Sequence, residues 1–302
     1  MAPLGTVQKL NVGMLSPKYR LPAAAHVGKV RLAVSNLARS IQFYTQTIGL
    51  TVFDQTSDKA RLGVAGSTLV LLELEQLPGV NPIASRTRLG LYHTAFLLPN
   101  RAALSSFVAH LIKQGTYFGS GDHLYSEAMY LVDPDGLSVE VYADRSRDEW
   151  VYDGAEIVSA TNPVKFTELL AIPKPEWQGA PAGTVVGHVH LYIGDLEQGA
   201  DFYHAALGLD IVTWRYPGAL FLSAGGYHHD VAINVWAAGS PPAAASDARL
   251  LFWELVFPSE EDRAAAAKSL SASGYQSAPD DHQGPIFLDP WGTRVLLTVA
   301  QA

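Results

Sequence analysis

The chain repeats itself. "VGKVRLAVSNLARSIQFYTQTIGL", starting at Val27, aligns without gaps on "VGHVHLYIGDLEQGADFYHAALGL", starting at Val186, an offset of 159 residues. The same offset lays "YHTAFLLP", ending at Pro99, over "FWELVFP", ending at Pro258, and places Gly115 and His123 on Gly274 and His282. After a small deletion "YLVDPDGLSVEVY" falls on "FLDPWGTRVLLTV". Self-similarity at fixed spacing constrains a fold more than composition does, because each copy must build the same supersecondary unit.

Each half divides again into two units of one kind. A strand of alternating character is followed by a helix with apolar residues at helical spacing, then by shorter strands punctuated by Gly or Pro. In the third unit Val189, Leu191 and Ile193 share one strand face and His188 and His190 the other. The helix after it carries Leu196, Ala200, Phe202, Tyr203 and Leu207 and stops at Gly208. The expectation is an α+β protein of four βαβββ modules, bounded near 26–76, 89–145, 185–238 and 248–300. Residues 1–25 form an N-terminal extension. Residues 26–145 form one domain, 146–184 a proline-containing linker, and 185–302 a second domain.

Composition narrows the function. At 302 residues, 48% hydrophobic and 17% charged, the chain suits two soluble globular domains. No apolar run approaches the ~18 residues of a spanning helix, so no membrane role is expected. The start has no basic end followed by a signal-length apolar block, which gives a cytoplasmic expectation. The net charge of −8 has no basic cluster to offer nucleic acid. Without cysteine, any metal site must use His and carboxylates.

The two openings quoted above, with "DPDGLSVEVY", resemble the vicinal oxygen chelate superfamily of glyoxalases, bleomycin- and fosfomycin-resistance proteins and dioxygenases. The resemblance covers nearly the whole chain after residue 25. The four-module length and the stretch "GYHHDVAIN" (Gly226–Asn234) are most similar to the catechol 2,3-dioxygenase branch. It implies two eight-stranded, cup-like half-barrels. In such a cup one module gives a metal-binding His from its first strand, and the other gives a His from its first strand and a Glu from its last.

Carried onto this chain, the first-strand positions are Lys29, His93, His188 and Phe252, and the last-strand positions are Glu140 and Leu296. Pairing modules in chain order would put an ammonium or a phenyl ring at the metal. Pairing module two with module three assembles His93, His188 and Glu140, a two-histidine-one-carboxylate set suited to non-haem Fe(II). The long Ser146–Gly183 connector supplies the reach, and modules one and four then make a second cup without a metal.

The resemblance also implies catalytic residues around the metal. His229, just before "DVAIN", matches a proton-carrying histidine, a role that suits imidazole because its ordinary pKa lies near neutrality. Tyr130 matches a tyrosine that hydrogen-bonds a substrate oxygen, with Phe287 roughly its counterpart in module four. His123 matches another histidine near the site, and His190 is placed to line the cup or to pack. If strand alternation holds through "GYHHDVAIN", His229 faces the cup and His228 points away, to a structural or rim position.

The implied activity is that of an Fe(II)-dependent extradiol dioxygenase acting on a small aromatic diol and O2, with Mn(II) or another divalent metal as the alternative ion. The same fold also serves non-redox isomerases and thiol transferases, and metal-free proteins that bind or sequester aromatic ligands. The glyoxalase version wants a fourth, carboxylate ligand where module three offers Asn234. A homo-oligomer is compatible with the sequence.

Overall fold

The computed structural model describes residues 17–278 and 284–300; His282 lies outside them. The first module runs β1 (His26–Val34), α1 (Leu37–Gln46), β2 (Thr51–Gln55), β3 (Lys59–Gly63) and β4 (Val70–Gln76). The second runs β5 (Gly90–Leu97), α2 (Arg101–Gln114), β6 (Gly119–Asp122), β7 (Ser126–Val132) and β8 (Ser138–Asp144). The connector then folds a short hairpin, β9 (Tyr152–Asp153) and β10 (Glu156–Ile157), and a helix, α3 (Phe166–Leu170).

The third module has β11 (Val185–Tyr192), α4 (Leu196–Ala200), β12 (Asp210–Thr213), β13 (Ala219–Ser223) and β14 (Val231–Asn234). Its helix continues as a π-turn over Asp201–Ala206. The fourth has β15 (Arg249–Phe257), α5 (Glu260–Ala272), β16 (Ser277–Ala278), β17 (Ile286–Leu288) and β18 (Arg294–Val299). The architecture is thus α+β, with the βαβββ unit four times over.

Two eight-stranded sheets result. One has the order β16-β17-β18-β15-β1-β4-β3-β2 and joins modules four and one; the other, β12-β13-β14-β11-β5-β8-β7-β6, joins modules three and two. At each centre the first strands of two modules meet antiparallel, β1 on β15 and β5 on β11. A single apolar core touches both sheets and the helices: Val30, Leu32, Leu72, Trp253, Phe96, Val139, Val189 and Leu191 all belong to it. Strand alternation explains the division of labour, since Val189 and Leu191 on β11 go to the core and alternate with His188 and His190 on the opposite, cup-lining face.

The "FY" and "DP" motifs of the repeat turn out to be one device. Asp133 accepts the backbone N–H of Asp135 and Leu137 at 2.8 and 2.9 Å through Oδ1, which shapes its turn, and receives the Tyr44 hydroxyl on Oδ2 at 3.2 Å. Asp289 likewise accepts from Trp291 and Thr293 N–H and receives the Tyr203 hydroxyl at 2.9 Å. Each tyrosine belongs to the helix of one module and each aspartate to the module that follows it in sequence. Because those modules contribute to different sheets, the two bonds tie the cups together in a pseudo-symmetric way.

The connector is integrated into the fold. Thr213 donates to the Ile157 carbonyl at 2.6 Å, Glu156 accepts the backbone N–H of Trp214 and Arg215, and Ser105 donates to the Leu169 carbonyl. Residues from both modules of the second sheet are therefore bonded to the same segment.

Candidate metal centre

The centre is built on neighbouring strands. Tyr130 on β7 pairs with Glu140 on β8, Glu140 with Ala95 on β5, and Ala95 with His188 on β11, so these four side chains form one row across the sheet. His93 lies opposite His190 on the adjoining rank. Ala95 is the small member of the row, between Glu140 and His188.

Gly187 fixes the approach. A Cβ there would lie 1.9 Å from the Tyr142 hydroxyl and 2.9 Å from Leu97 Cβ, so only glycine lets β11 close on β5 and β8 at the point where its register shifts, just before His188.

Three donor atoms converge. His93 Nε2 is 2.9 Å and His188 Nε2 3.3 Å from Glu140 Oε2, and the two Nε2 atoms are 3.3 Å apart. Bonds of ~2.0–2.2 Å meeting near right angles give donor separations of about 3 Å, so this triangle fits one face of a metal's coordination sphere. The three residues are buried, at 3%, 1% and 2% exposure, and among the described residues they are the one such group of three. Both Nδ1 atoms are buried and have no partner, which leaves Nε2 as each ring's functional nitrogen. The chemistry of the set is that of a divalent metal site.

Electrostatics favour a cation here. Burial alone would push the Glu140 carboxyl up, but the facing imidazoles of His188 and His93 outweigh it and hold the group well below the usual range. Burial lowers His188 to about 4, against the pull of Glu140, so that imidazole is neutral and has a lone pair available at ordinary pH.

The repeat-related positions in the first sheet hold no such set. Lys29 Nζ lies 3.6 Å from Glu73 and 3.8 Å from Glu254, while Arg31 pairs with Glu73 and stands over the Phe252 ring. Phe252 and Leu296 pack together with Ile286. That cup is closed by an internal ion network and apolar side chains.

Around the metal centre the remaining candidates fall into place. His123 presents Nδ1 to the Ala160 carbonyl at 2.7 Å; a carbonyl can only accept, so Nδ1 carries the hydrogen and Nε2 accepts the Tyr130 hydroxyl at 2.6 Å. Burial, then the charge of Glu140, raises the Tyr130 phenol well above its usual value, keeping it protonated. Asn234 donates Nδ2–H to His190 Nε2 at 2.8 Å while its Oδ1 accepts the Trp236 N–H. His190 is therefore held by a specific hydrogen bond among the rings of Tyr92, Phe221 and Trp236.

The strand alternation expected to point His228 away from the cup is corrected. β14 begins only at Val231, so "GYHH" lies in a loop that leaves Gly225 and Gly226 at φ 60° and 71°, and strand alternation does not apply to it. Both histidines are buried, His228 at 0% and His229 at 4% exposure. His229 faces the centre, its ring 4.1 Å from that of His188 and 4.9 Å from Phe221. His228 stacks on Tyr125 at 4.4 Å and bonds to His229, Nδ1 to Nδ1, at 2.8 Å and to Asp144 Oδ1 through Nε2 at 2.9 Å. Asp144, which holds His228, was passed over in the motif reading, and Asn234, noted there only for lacking a carboxylate, donates to His190. The Gly-Gly pair before the histidines was the signal that a loop, rather than a strand, presents them.

A separate cleft of about 240 Å³, lined by Leu89, Arg249, Trp291 and Arg294 among others, contains none of these groups.

Fold and site together define a class: cup-shaped βαβββ pairs with a His, His, Glu centre. The chain belongs to the Glyoxalase/Bleomycin resistance protein/Dioxygenase superfamily, which it matches over residues 24–141 and 185–297. It is 40% identical over 255 residues to a protein named catechol-2,3-dioxygenase from Bacillus subtilis (strain 168), covering 83% of this chain and 89% of that one. Among solved structures it is similar to a protein provisionally described as a dioxygenase from Bacillus subtilis subsp. subtilis str. 168, with a TM-score of 0.64, 14% identity, and 94% and 87% of the two chains covered. It is also similar to glyoxalase I from Zea mays, with a TM-score of 0.54, 17% identity, and 91% and 92% covered. At such identities the structural likeness speaks for the fold alone.

Proposed function

We propose that the chain is an Fe(II)-dependent extradiol dioxygenase that opens a catechol-type ring beside its diol. The observation that carries this reading is the convergence of His93, His188 and Glu140 on one point with donor separations of 2.9–3.3 Å, in a chain 40% identical to a protein named catechol-2,3-dioxygenase. The metal is read as Fe(II); when bound, it would supply Lewis acidity toward the diol and a redox partner for O2. His93, His188 and Glu140 would hold it and leave the remaining positions open to both reactants.

The surrounding residues account for binding and proton movement. Tyr92, Phe221 and Trp236 line the cup near His190 and offer aromatic faces to a flat ring. Tyr130, donating to His123, keeps oxygen lone pairs with which to accept a hydrogen bond from a substrate hydroxyl. Burial, followed by the neighbouring imidazoles of His188 and His228, holds His229 well below its usual value. It is a neutral base at ordinary pH, able to take a diol proton and return one later.

Among the described residues no helix is long and apolar enough to cross a membrane. The test is anaerobic loading with Fe(II) followed by catechol and then O2. A yellow ring-opened semialdehyde is expected. Iron-loaded protein that leaves catechol and substituted catechols intact would overturn the reading.

A further inference from the structure

The bond between the two adjacent histidines is directional. Asp144 carries two oxygens, each occupied: Oδ1 by His228 Nε2 at 2.9 Å and Oδ2 by the Tyr227 hydroxyl at 3.0 Å. The Tyr227 oxygen in turn accepts the Tyr142 hydroxyl at 2.8 Å. A carboxylate accepts at both oxygens, so His228 carries its hydrogen on Nε2. A neutral imidazole with Nε2–H has its lone pair on Nδ1. We take His228 as the neutral imidazole; its Nδ1 then accepts, and the atom 2.8 Å away, His229 Nδ1, donates.

We propose that Asp144 and His228 are positioning residues that fix His229 in the Nδ1–H tautomer, leaving its Nε2 lone pair as the nitrogen offered to substrate. The proposal rests on the reading of His229 as the proton carrier. Its logic is that of any base held in one tautomer by an acceptor behind it, here with a second imidazole inserted between carboxylate and base.

The packing shows why the insert is rigid. His228 is wholly buried, stacked on Tyr125 at 4.4 Å and 15°, with Tyr227 at 4.0 Å and Trp150 at 5.5 Å. Its ring plane is thereby set by Tyr125 of module two and Trp150 of the connector together with its neighbour Tyr227, whereas both histidines belong to module three. Asp144 ends β8, four residues after Glu140. One strand thus supplies both a ligand of the centre and the carboxylate that orients the base.

The experiment reads the tautomer directly. The full-length chain, with ¹⁵N-labelled histidine and loaded with diamagnetic Zn(II), is examined by long-range ¹H–¹⁵N correlation, and His229→Phe identifies the His229 signals. The expected wild-type pattern is a protonated Nδ1 and an unprotonated Nε2. His228→Phe keeps the ring stack on Tyr125 but deletes the acceptor, and Asp144→Asn weakens the anchor. Both variants are expected to bind one Zn(II) per chain while His229 shifts toward Nε2–H, and in the Fe(II) enzyme kcat is expected to fall ~10–100-fold with KM little changed.

A wild-type His229 protonated on Nε2, or a tautomer unchanged in both variants, would overturn the proposal. The underlying reading fails in a different way: if Fe(II)-loaded wild-type protein and His229→Phe cleave catechol equally well, His229 is not the proton carrier, whatever its tautomer.

Discussion

His93 and His188 stand 95 residues apart in the chain and bring their Nε2 atoms to 3.3 Å, with Glu140 Oε2 closing the triangle. Neither half of the repeat contains this centre by itself. Only the antiparallel pairing of β5 with β11 makes it.

Each of His93→Ala, His188→Ala and Glu140→Ala is expected to abolish stoichiometric binding of a divalent metal, because each removes one of three protein ligands. Lys29→Ala, in the other cup, should leave metal content unchanged. Elemental analysis after reconstitution decides it; loss of metal in the Lys29 variant with retention in the His188 variant would put the centre in the wrong sheet.

His229→Phe separates chemistry from binding. The variant is expected to keep its metal and its affinity for catechol while turnover falls by ~10²–10⁴, the usual worth of a positioned acid–base group. Single-turnover kinetics on the metal-loaded protein check this, and a variant that merely loses its metal would refute the role.

Tyr203→Phe tests the link between the cups. It strips the buried Asp289 Oδ2 of its hydroxyl donor at 2.9 Å, which should cost about 1–3 kcal/mol. Tyr44→Phe, whose bond to Asp133 is longer at 3.2 Å, should cost less. Urea denaturation gives both values, and equal midpoints for wild type and both variants would show these bonds to be dispensable.

Asp230 gives a dependence of stability on pH. Burial raises its carboxyl to about 7, against the opposing hydrogen bond from the Ala224 N–H. The folded protein keeps a proton there that the unfolded chain releases near 3.8. Stability from this group is therefore present below pH 4 and is lost as pH rises toward 7, at up to about 1.4 kcal/mol per unit. Asp230→Asn should flatten that slope, leaving the contributions of Asp133, which burial raises to about 6, and of Asp289, which burial also raises. Denaturation midpoints at pH 5 and pH 7.5 compare the two proteins, and an undiminished slope in the variant would contradict the assignment.

Some of this molecule is local and can be read from the chain. The 159-residue repeat fixes four equivalent units, and the period of two along "VGHVHLY" decides that Val189 and Leu191 go to the core while His188 and His190 go to the cup. Those properties depend on backbone geometry over a few residues. The roles of "FY" and "DP" could not be read this way, because Tyr203 and Asp289 lie 86 residues apart and nothing in either motif names the other.

The two histidines of "GYHHDVAIN" mark the boundary. A strand period predicts opposite faces for neighbours, but it operates only where the backbone is extended and paired, and β14 starts two residues after His229. Upstream of it the Gly225–Gly226 turn sets the direction of the chain, and the place of each ring is chosen by what it meets: Tyr125 and Asp144 for His228, His188 and Phe221 for His229. The sequence by itself determined which residues could do chemistry, since residue type and strand phase are properties of short segments. Which of them face one another was decided by the tertiary structure, because a hydrogen bond or a metal triangle forms between atoms the chain separates by scores of residues and only packing brings to 2.9–3.3 Å.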